Sequence, residues 1–212
     1  MCGPASWPGC WPGRVCARWR ALSLVACAVL TPVVSRSVTA AARSKELAAV
    51  LRMNGVGPNV LVAQCVDRSL EMIVGMYGIV LAGGCYCPLH PDHPADRLLA
   101  LLNKSKAGVL LTTTDLSSKF GKCSVPVILL DGVSESKWAG SDSKSSALVA
   151  STDWAKTSGP GDLAYVLSTS GSTGEPKLAS IMHGSLCNFS RAVNKSQLVL
   201  PTDRLLQTSA CS

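Results

Sequence analysis

Strand-like and helix-like segments alternate along the middle of this chain, and that alternation constrains the fold more than any other feature. Continuous apolar runs typical of buried strands lie at 60–66, 85–89, 108–113 and 127–131. Between the first two runs, apolar residues recur at helical spacing from Met72 to Val80. Alternating strands and helices favour a parallel sheet covered by helices, so we predict an α/β fold with a parallel-rich sheet.

The helix boundaries can also be predicted from the sequence. Asp67 is a candidate N-cap for the helix containing Met72, and Gly83-Gly84 is expected to end it. Pro94 suits a first helical position, and the leucines after it form one apolar face (Leu98, Leu99, Leu101 and Leu102). Two further helices are predicted at Ser44–Asn54 and Ser185–Asn194.

A loop made almost wholly of Ser, Thr and Gly follows the apolar strand Leu163–Ser168. It ends in Pro176-Lys177, and Leu178–Met182 is predicted to be a second strand. A row of backbone and hydroxyl donors with one lysine suits a polyphosphate, although a flexible loop has the same composition. The spacing differs from a Walker A motif, because Pro176 precedes the lysine and a strand rather than a helix follows it.

The run Leu163-Ala-Tyr to Pro-Lys177 resembles the phosphate-loop signature of the adenylate-forming enzymes, the AMP-dependent synthetase and ligase superfamily. A second run, Leu81-Ala-Gly-Gly-Cys-Tyr-Cys-Pro-Leu89, is similar to the adenylation domains of nonribosomal peptide synthetases. Acyl-CoA synthetase-like ligases are the second enzyme interpretation. The resemblance covers residues 44–212 and implies part of the N-terminal subdomain of such an enzyme.

The resemblance implies an activity for the complete parent enzyme. A carboxylic acid, expected to be an amino acid, attacks the α-phosphate of Mg²⁺-bound ATP, which gives an acyl-AMP and pyrophosphate. A thiol then accepts the acyl group, and in a peptide synthetase the thiol belongs to a phosphopantetheine carrier domain. The expected cofactors are therefore ATP and Mg²⁺, and the expected partners are ATP, the acid and a carrier domain.

The same resemblance assigns site residues. The loop residues expected to hold the β- and γ-phosphates are Thr169, Ser170, Gly171, Ser172, Thr173, Gly174 and Lys177. Lys177 and His183 are the predicted catalytic residues. For His183, a helix-capping or packing role is an equally open alternative.

Two positions in this run depart from the family pattern. Ser168 stands where the family usually has an aromatic residue, and Leu178 stands where it nearly always has glycine. The side chain of Leu178 is expected to crowd the strand pair or to displace Lys177.

The run His90-Pro-Asp-His93 brings two imidazoles and a carboxylate together, but no nearby His or Cys pair completes a tetrahedral zinc site. We therefore interpret it as a strand-to-helix turn and predict no metal site. Cys85 and Cys87 share one strand face by period-two spacing and are expected to be small buried side chains.

Residues 1–43 form an atypical N-terminal segment. It is compatible with a signal peptide, with an organelle transit segment or with an incorrectly assigned exon. Residues 1–60 contain seven basic residues and one acidic residue, whereas residues 61–212 contain thirteen basic and twelve acidic residues. The folded part is thus nearly neutral, and its charge does not favour nucleic-acid binding.

The length favours a fragment of a longer enzyme, inactive by itself in forming acyl-AMP. The alternatives are a non-catalytic nucleotide-binding remnant, a non-functional truncated product and, less favoured, a secreted binding module. Residues 132–161 are expected to form a Ser/Gly-rich surface connection. No apolar run is long enough to predict a membrane span, and the resemblance implies a cytoplasmic protein.

Overall fold

The computed structural model describes residues 34–121, 123–131, 158–169 and 177–196, with side chains from residue 40 onward. Its strands are β1 (Leu61–Cys65), β2 (Cys85–Pro88), β3 (Val109–Thr112), β4 (Val127–Leu129), β5 (Leu163–Thr169) and β6 (Lys177–Met182). Its α-helices are α1 (Val34–Met53), α2 (Leu70–Ala82), α3 (Ala95–Ser105), α4 (Thr114–Ser117) and α5 (His183–Lys195), and a 3₁₀ turn covers Ser118–Phe120. The predicted α/β class is confirmed.

The strands form a single six-stranded sheet in the order β4-β3-β1-β2-β5-β6. All neighbours are parallel except β5 and β6, which form the antiparallel pair that the sequence predicts around the Ser/Gly loop. The first five strands therefore end at one edge of the sheet, which we call the carboxyl edge. Because β6 runs the opposite way, it begins at the carboxyl edge and ends at the other, the amino edge.

Helices cover both faces of the sheet. On one face, α1 and α2 contribute Leu47, Leu51 and Ile79 to a core that also contains Val62 and Val109. On the other face, leucines of α3 and Phe120 pack on Ala63 and Leu110. Successive residues of β1 and β3 thus alternate between two apolar layers, which explains why these strands read as continuous apolar runs.

Several predicted boundaries were wrong. The first helix begins at Val34 rather than Ser44, so α1 is continuous across the expected domain boundary at 43/44. Arg43 donates to Glu71 at 3.4 Å and to the Leu130 carbonyl at 3.0 Å, which ties this turn of α1 to the rest of the fold.

The N-cap of α2 is Ser69 rather than Asp67, because the Ser69 hydroxyl accepts the Met72 N–H at 3.4 Å. The C-terminal prediction is confirmed, since Gly83 caps α2 with a left-handed φ of 87°. Pro94 is the N-cap of α3 and not its first helical residue.

Other predictions fall outside the described residues. They concern the residues up to 33, most of the connection predicted at 132–161, and the chain after Ser196. In the ranges that are described, no helix has both the length and the apolar character required to cross a membrane.

Candidate functional site

The two ends of the Ser/Gly loop meet at the carboxyl edge of the sheet. Thr169, the last residue of β5, lies directly opposite Lys177, the first residue of β6. The Thr169 hydroxyl donates to the Lys177 carbonyl at 3.4 Å. Strand pairing therefore fixes where the loop leaves and re-enters the sheet, although Ser170, Gly171, Ser172, Thr173 and Gly174 lie outside the described residues.

The β5 strand extends further than its neighbour at this edge. Tyr86 of β2 is opposite Tyr165 of β5. The β2 strand ends two residues later, at Pro88, whereas β5 continues to Thr169. At about 3.3 Å per residue, Thr169 thus stands roughly two residues beyond the end of β2. The β5 strand therefore extends past the end of β2 at the carboxyl edge before the loop begins.

Both described loop-end residues are exposed to solvent, and Lys177 has no ion-pair partner in the described part of the chain. A lysine ammonium on a flexible stem at the end of a strand can move to meet a phosphate. Lys177 therefore fits a polyphosphate ligand as the cation at one loop end, whereas the Thr169 hydroxyl already donates its proton to the Lys177 carbonyl.

The departures from the family pattern face each other. Ser168 lies directly opposite Leu178, and this pair is one residue further from the loop than the pair Thr169 and Lys177. Pairing is regular from Val166 to Thr169, so the crowding expected from Leu178 does not disturb the strand register. The physical reason is that the opposite side chain, Ser168, is small.

A cavity of about 510 Å³ opens at the same edge of the sheet, between the segments that follow β1 and β2. Its polar lining residues are Gln64, Asp67, Arg68, His90 and Asp92, and its apolar ones are Val66, Met72, Tyr86, Leu89 and Pro91. This cavity was not predicted from the sequence. The sequence nevertheless contained a signal for this cavity. Polar residues stand directly after two strands that pair in parallel, and the carboxyl ends of parallel strands meet at one edge of the sheet.

The side chain of Gln64 forms the floor of this cavity and is 2% exposed. Its Nε2 donates to the Met72 carbonyl at 2.9 Å, and its Oε1 has no hydrogen-bond partner in the described structure. Gly75 of α2 leaves room for this side chain, because a Cβ there would lie 2.5 Å from Oε1.

The predicted turn at 90–93 is observed as a connection between β2 and α3. The Asp92 N–H donates to His90 Nδ1 at 3.2 Å, and the rings of His90 and His93 are 5.5 Å apart. Lys119 donates to the Pro91 carbonyl at 2.5 Å and fixes the turn against the 3₁₀ segment. The pKa of His93 is lowered, mainly by burial and in addition by the nearby charges of Arg97 and His90.

No group of three His, Cys, Asp or Glu side chains is arranged for metal binding within the described ranges. Cys85 and Cys87 are 0% and 2% exposed, as expected for small core residues. Burial raises the pKa of Cys85 to about 12 and that of Cys87 to about 11, so both thiols stay protonated at neutral pH.

His183 lies at the amino edge, at the opposite end of β6 from Lys177. Six residues of extended chain separate their Cα atoms by roughly 20 Å. The structure therefore does not bring the two predicted catalytic residues together. The catalytic role of His183 stays a prediction from the resemblance.

The surroundings of His183 belong to a hydrogen-bonded turn. Its backbone N–H donates to the Asp162 carbonyl at 2.9 Å, and the Gly184 N–H donates to the Pro160 carbonyl at 2.8 Å. Asp162 accepts from the Gly159 N–H at 2.7 Å and from Asn59 Nδ2 at 2.8 Å. These bonds fix the 158–162 turn to the start of α5 and to Asn59, two residues before β1.

Burial lowers the pKa of His183, and the nearby Asp162 carboxylate opposes that shift. The hydrogen bonds from Gly159 and Asn59 lower the pKa of Asp162 itself. The imidazole Nε2 is buried and has no hydrogen-bond partner in the described structure. A neutral ring with one buried nitrogen is an arrangement that packing residues commonly adopt, and it leaves the packing alternative open.

Comparison with known proteins adds an independent observation. The model of a family described as AMP-binding enzyme matches residues 39–212. The chain is 38% identical over 168 residues to tyrocidine synthase 3 of Brevibacillus parabrevis, an alignment covering 79% of this chain and 2% of that protein. It is 36% identical over 166 residues to zwittermicin A synthase ZmaJ of Bacillus cereus, which covers 78% of this chain and 29% of the relative.

Among solved structures, the nonribosomal peptide synthetase FmoA3 in its AMPPNP-bound form is similar, with a TM-score of 0.66 and 29% sequence identity. The match covers 82% of this chain and 17% of that chain. The chain thus spans less than a third of the length of each of these relatives.

Proposed function

Since the chain belongs to the AMP-binding enzyme family, we propose that it binds ATP at the loop between β5 and β6, as part of an adenylation domain that activates an amino acid or another carboxylic acid. The predicted resemblance to adenylate-forming enzymes, and to nonribosomal peptide synthetases in particular, is confirmed by these relatives. The predicted α/β fold of an N-terminal adenylation-domain segment is likewise shared with the peptide synthetase structure.

The observation that carries the proposal is the position of Thr169 and Lys177, opposite each other at the carboxyl edge of a parallel-rich sheet. Ligands of open α/β sheets bind at this edge, beyond the carboxyl ends of the strands. Lys177 supplies the cation, and the Thr169 hydroxyl can donate to a phosphate if it gives up its hydrogen bond to the Lys177 carbonyl. Such preorganised donors stabilise the negative charge that develops on a departing pyrophosphate.

ATP supplies the α-phosphate that the acid carboxylate attacks, and Mg²⁺ would enter with its phosphates. Magnesium is usually held by one or two carboxylates together with substrate phosphates, so a cage of protein ligands is not required. The similar solved structure is a nonribosomal peptide synthetase, which supports an amino acid as substrate and a phosphopantetheine carrier domain as acceptor in the parent enzyme. A cytoplasmic location is part of the same proposal.

Calorimetric titration of the full chain with ATP and MgCl₂ tests the binding site. Lys177→Ala is expected to weaken ATP binding by at least about tenfold, because one charge-assisted hydrogen bond contributes roughly 1.5–3 kcal/mol. Lys45→Ala is the matched control, since it removes an equal charge from an exposed position on α1 and should leave the affinity unchanged.

Equal affinities in the wild type and in Lys177→Ala would show that ATP binds elsewhere. An absence of ATP binding by the wild-type chain at millimolar concentration would remove the proposed function itself.

A further inference from the structure

Ser168 and Leu178 are cross-strand neighbours in the sheet. They are directly opposite in the antiparallel pair, and the next pair along the strands is Thr169 with Lys177. Directly opposite residues project to the same face with Cβ atoms about 4.5–5.5 Å apart. The size of one side chain therefore limits the size that the other can have.

This pair lies on the opposite face of the hairpin from Lys177. Side chains alternate along a strand, so Ser168 shares a face with Ala164 and Val166, which are 3% and 2% exposed. The side chains of Thr169 and Lys177 project from the other face. Ser168 and Leu178 therefore do not contact a phosphate held by Lys177, and any influence they have passes through the backbone.

The two residues are also complementary in size. The pattern expected from the resemblance is an aromatic residue at 168 opposite glycine at 178, and this chain has Ser168 opposite Leu178. A large side chain on one strand covers a small one on the other in both arrangements, as when an aromatic residue covers a glycine across a sheet. In this chain the larger side chain of the pair is on β6.

Leu178 has a second consequence for the residue before it. Glycine at this point would leave the backbone next to Lys177 free to adopt many conformations, whereas leucine restricts it. Both residues of the pair are partly buried.

We propose that Ser168 and Leu178 form a positioning pair that holds the two ends of the loop in register and so places Lys177 and Thr169 for a nucleotide phosphate. This inference rests on the proposed ATP binding. The pair acts as a unit, and either residue alone should tolerate substitution worse than both together.

A double-mutant cycle on the full chain tests the pair, with ATP and MgCl₂ as the titrant. Leu178→Gly leaves a gap opposite Ser168, and Ser168→Tyr overfills the space against Leu178. Each single variant should weaken ATP binding by up to about fivefold, the upper range for a cross-strand pair. The double variant should return to within about twofold of the wild type.

Ser180→Gly is the matched control. Ser180 lies on the same strand and face as Leu178, opposite Val166 and two pairs further from the loop. Replacing it introduces a glycine into β6 without touching the pair. A purely structural role of Leu178 would lower the stability of the protein while leaving the affinity of the folded fraction unchanged, as expected for this control.

A second readout does not depend on ATP. The amide chemical shifts of Thr169 and Lys177, measured by NMR without nucleotide, should move in each single variant and return in the double variant. Additive effects in both the affinities and the shifts would overturn the inference. If the wild type fails to bind ATP, the proposed function is lost. The pairing of Ser168 with Leu178 is then rejected only if the amide shifts of the double variant do not return to the wild-type values.

Discussion

His183 is held in place by its backbone rather than by its ring. Its N–H donates to the Asp162 carbonyl, while the ring is partly buried and its Nε2 has no hydrogen-bond partner among the described residues. Burial lowers the pKa of the imidazole below its ordinary value of 6.5. Protonation of this ring is thus less favourable in the folded chain than in the unfolded one, which makes stability depend on pH.

His183→Gln should reduce the loss of stability at mildly acidic pH. The unfolded chain binds more protons than the folded chain once the pH falls below about 6.5, so the free energy of unfolding decreases as the pH falls further. Asp162 stays ionised in this range, because its hydrogen bonds lower its pKa from 3.8. Urea denaturation at pH 7 and pH 5 measures the effect.

Some pH dependence should remain in the variant, because the pKa of His93 is also lowered. The same decrease in stability between pH 7 and pH 5 in both proteins would contradict the assignment of this pH dependence to His183.

At the scale of elements, the contact between α1 and α2 depends on a glycine. A Cβ at Gly78 would lie 2.6 Å from Cδ2 of Leu47, which is 0% exposed. Real Cβ atoms do not approach other atoms this closely, so either the Leu47 side chain or one of the helices would have to shift. Glycine at this position therefore favours the close approach of the two helices.

Gly78→Ala should destabilise the fold by about 1–2 kcal/mol. Alanine gains up to about 1 kcal/mol in helix propensity, but overpacking costs roughly 1–3 kcal/mol and exceeds that gain. Gly57→Ala is the control, because a Cβ there has no atom within 4 Å and the change should stay within about 0.5 kcal/mol. Urea denaturation compares the two, and a stabilised Gly78→Ala variant would contradict the close packing.

The strands were predictable from the sequence, and some helix ends were not. Runs such as 60–66 are buried on both faces of the sheet, so burial alone marks them. The start of α2 was misassigned because Asp67 and Ser69 are both good N-caps, and only the folded chain shows which side chain reaches an amide. The first turns of α1 contain alanines and polar residues, with no apolar period to mark a beginning.

The candidate site was predictable only where its residues are contiguous. Thr169 and Lys177 flank one short loop, so a hairpin predicted from the sequence places them opposite each other. The separation of Lys177 from His183 follows from the same hairpin, since Lys177 begins a strand of six residues and His183 directly follows that strand. The cavity lined by Asp67 and His90 was missed, because parallel pairing of β1 and β2 brings together segments that are distant in the sequence.

At the scale of the whole molecule, the described chain forms a three-layer α/β unit with a candidate phosphate loop at one edge. The relatives are much longer, and this chain covers 17% of the peptide synthetase structure. A loop of donors can lower the barrier to pyrophosphate departure only when the acid is held in line for attack. The described residues at the loop ends, Thr169 and Lys177, are assigned to the phosphate, so the acid needs a separate binding site.

The full chain of 212 residues, tested alone, should therefore form no acyl-adenylate. Exchange of labelled pyrophosphate into ATP, measured with a mixture of amino acids, should stay at the level of a Lys177→Ala control. Exchange that depends on an added acid and is lost in that control would show that this segment is catalytically sufficient, which contradicts the expectation.

The central claim is that ATP binds at the carboxyl edge, at the ends of the β5–β6 loop. NMR titration of the ¹⁵N-labelled full chain with ATP and MgCl₂ tests it directly, because the two ends of β6 report on opposite edges of the sheet. The amide signals of Thr169 and Lys177 should shift with ATP concentration, while those of Asp162 and His183 stay in place. Shifts confined to Asp162 and His183, or none at millimolar ATP, would contradict the claim.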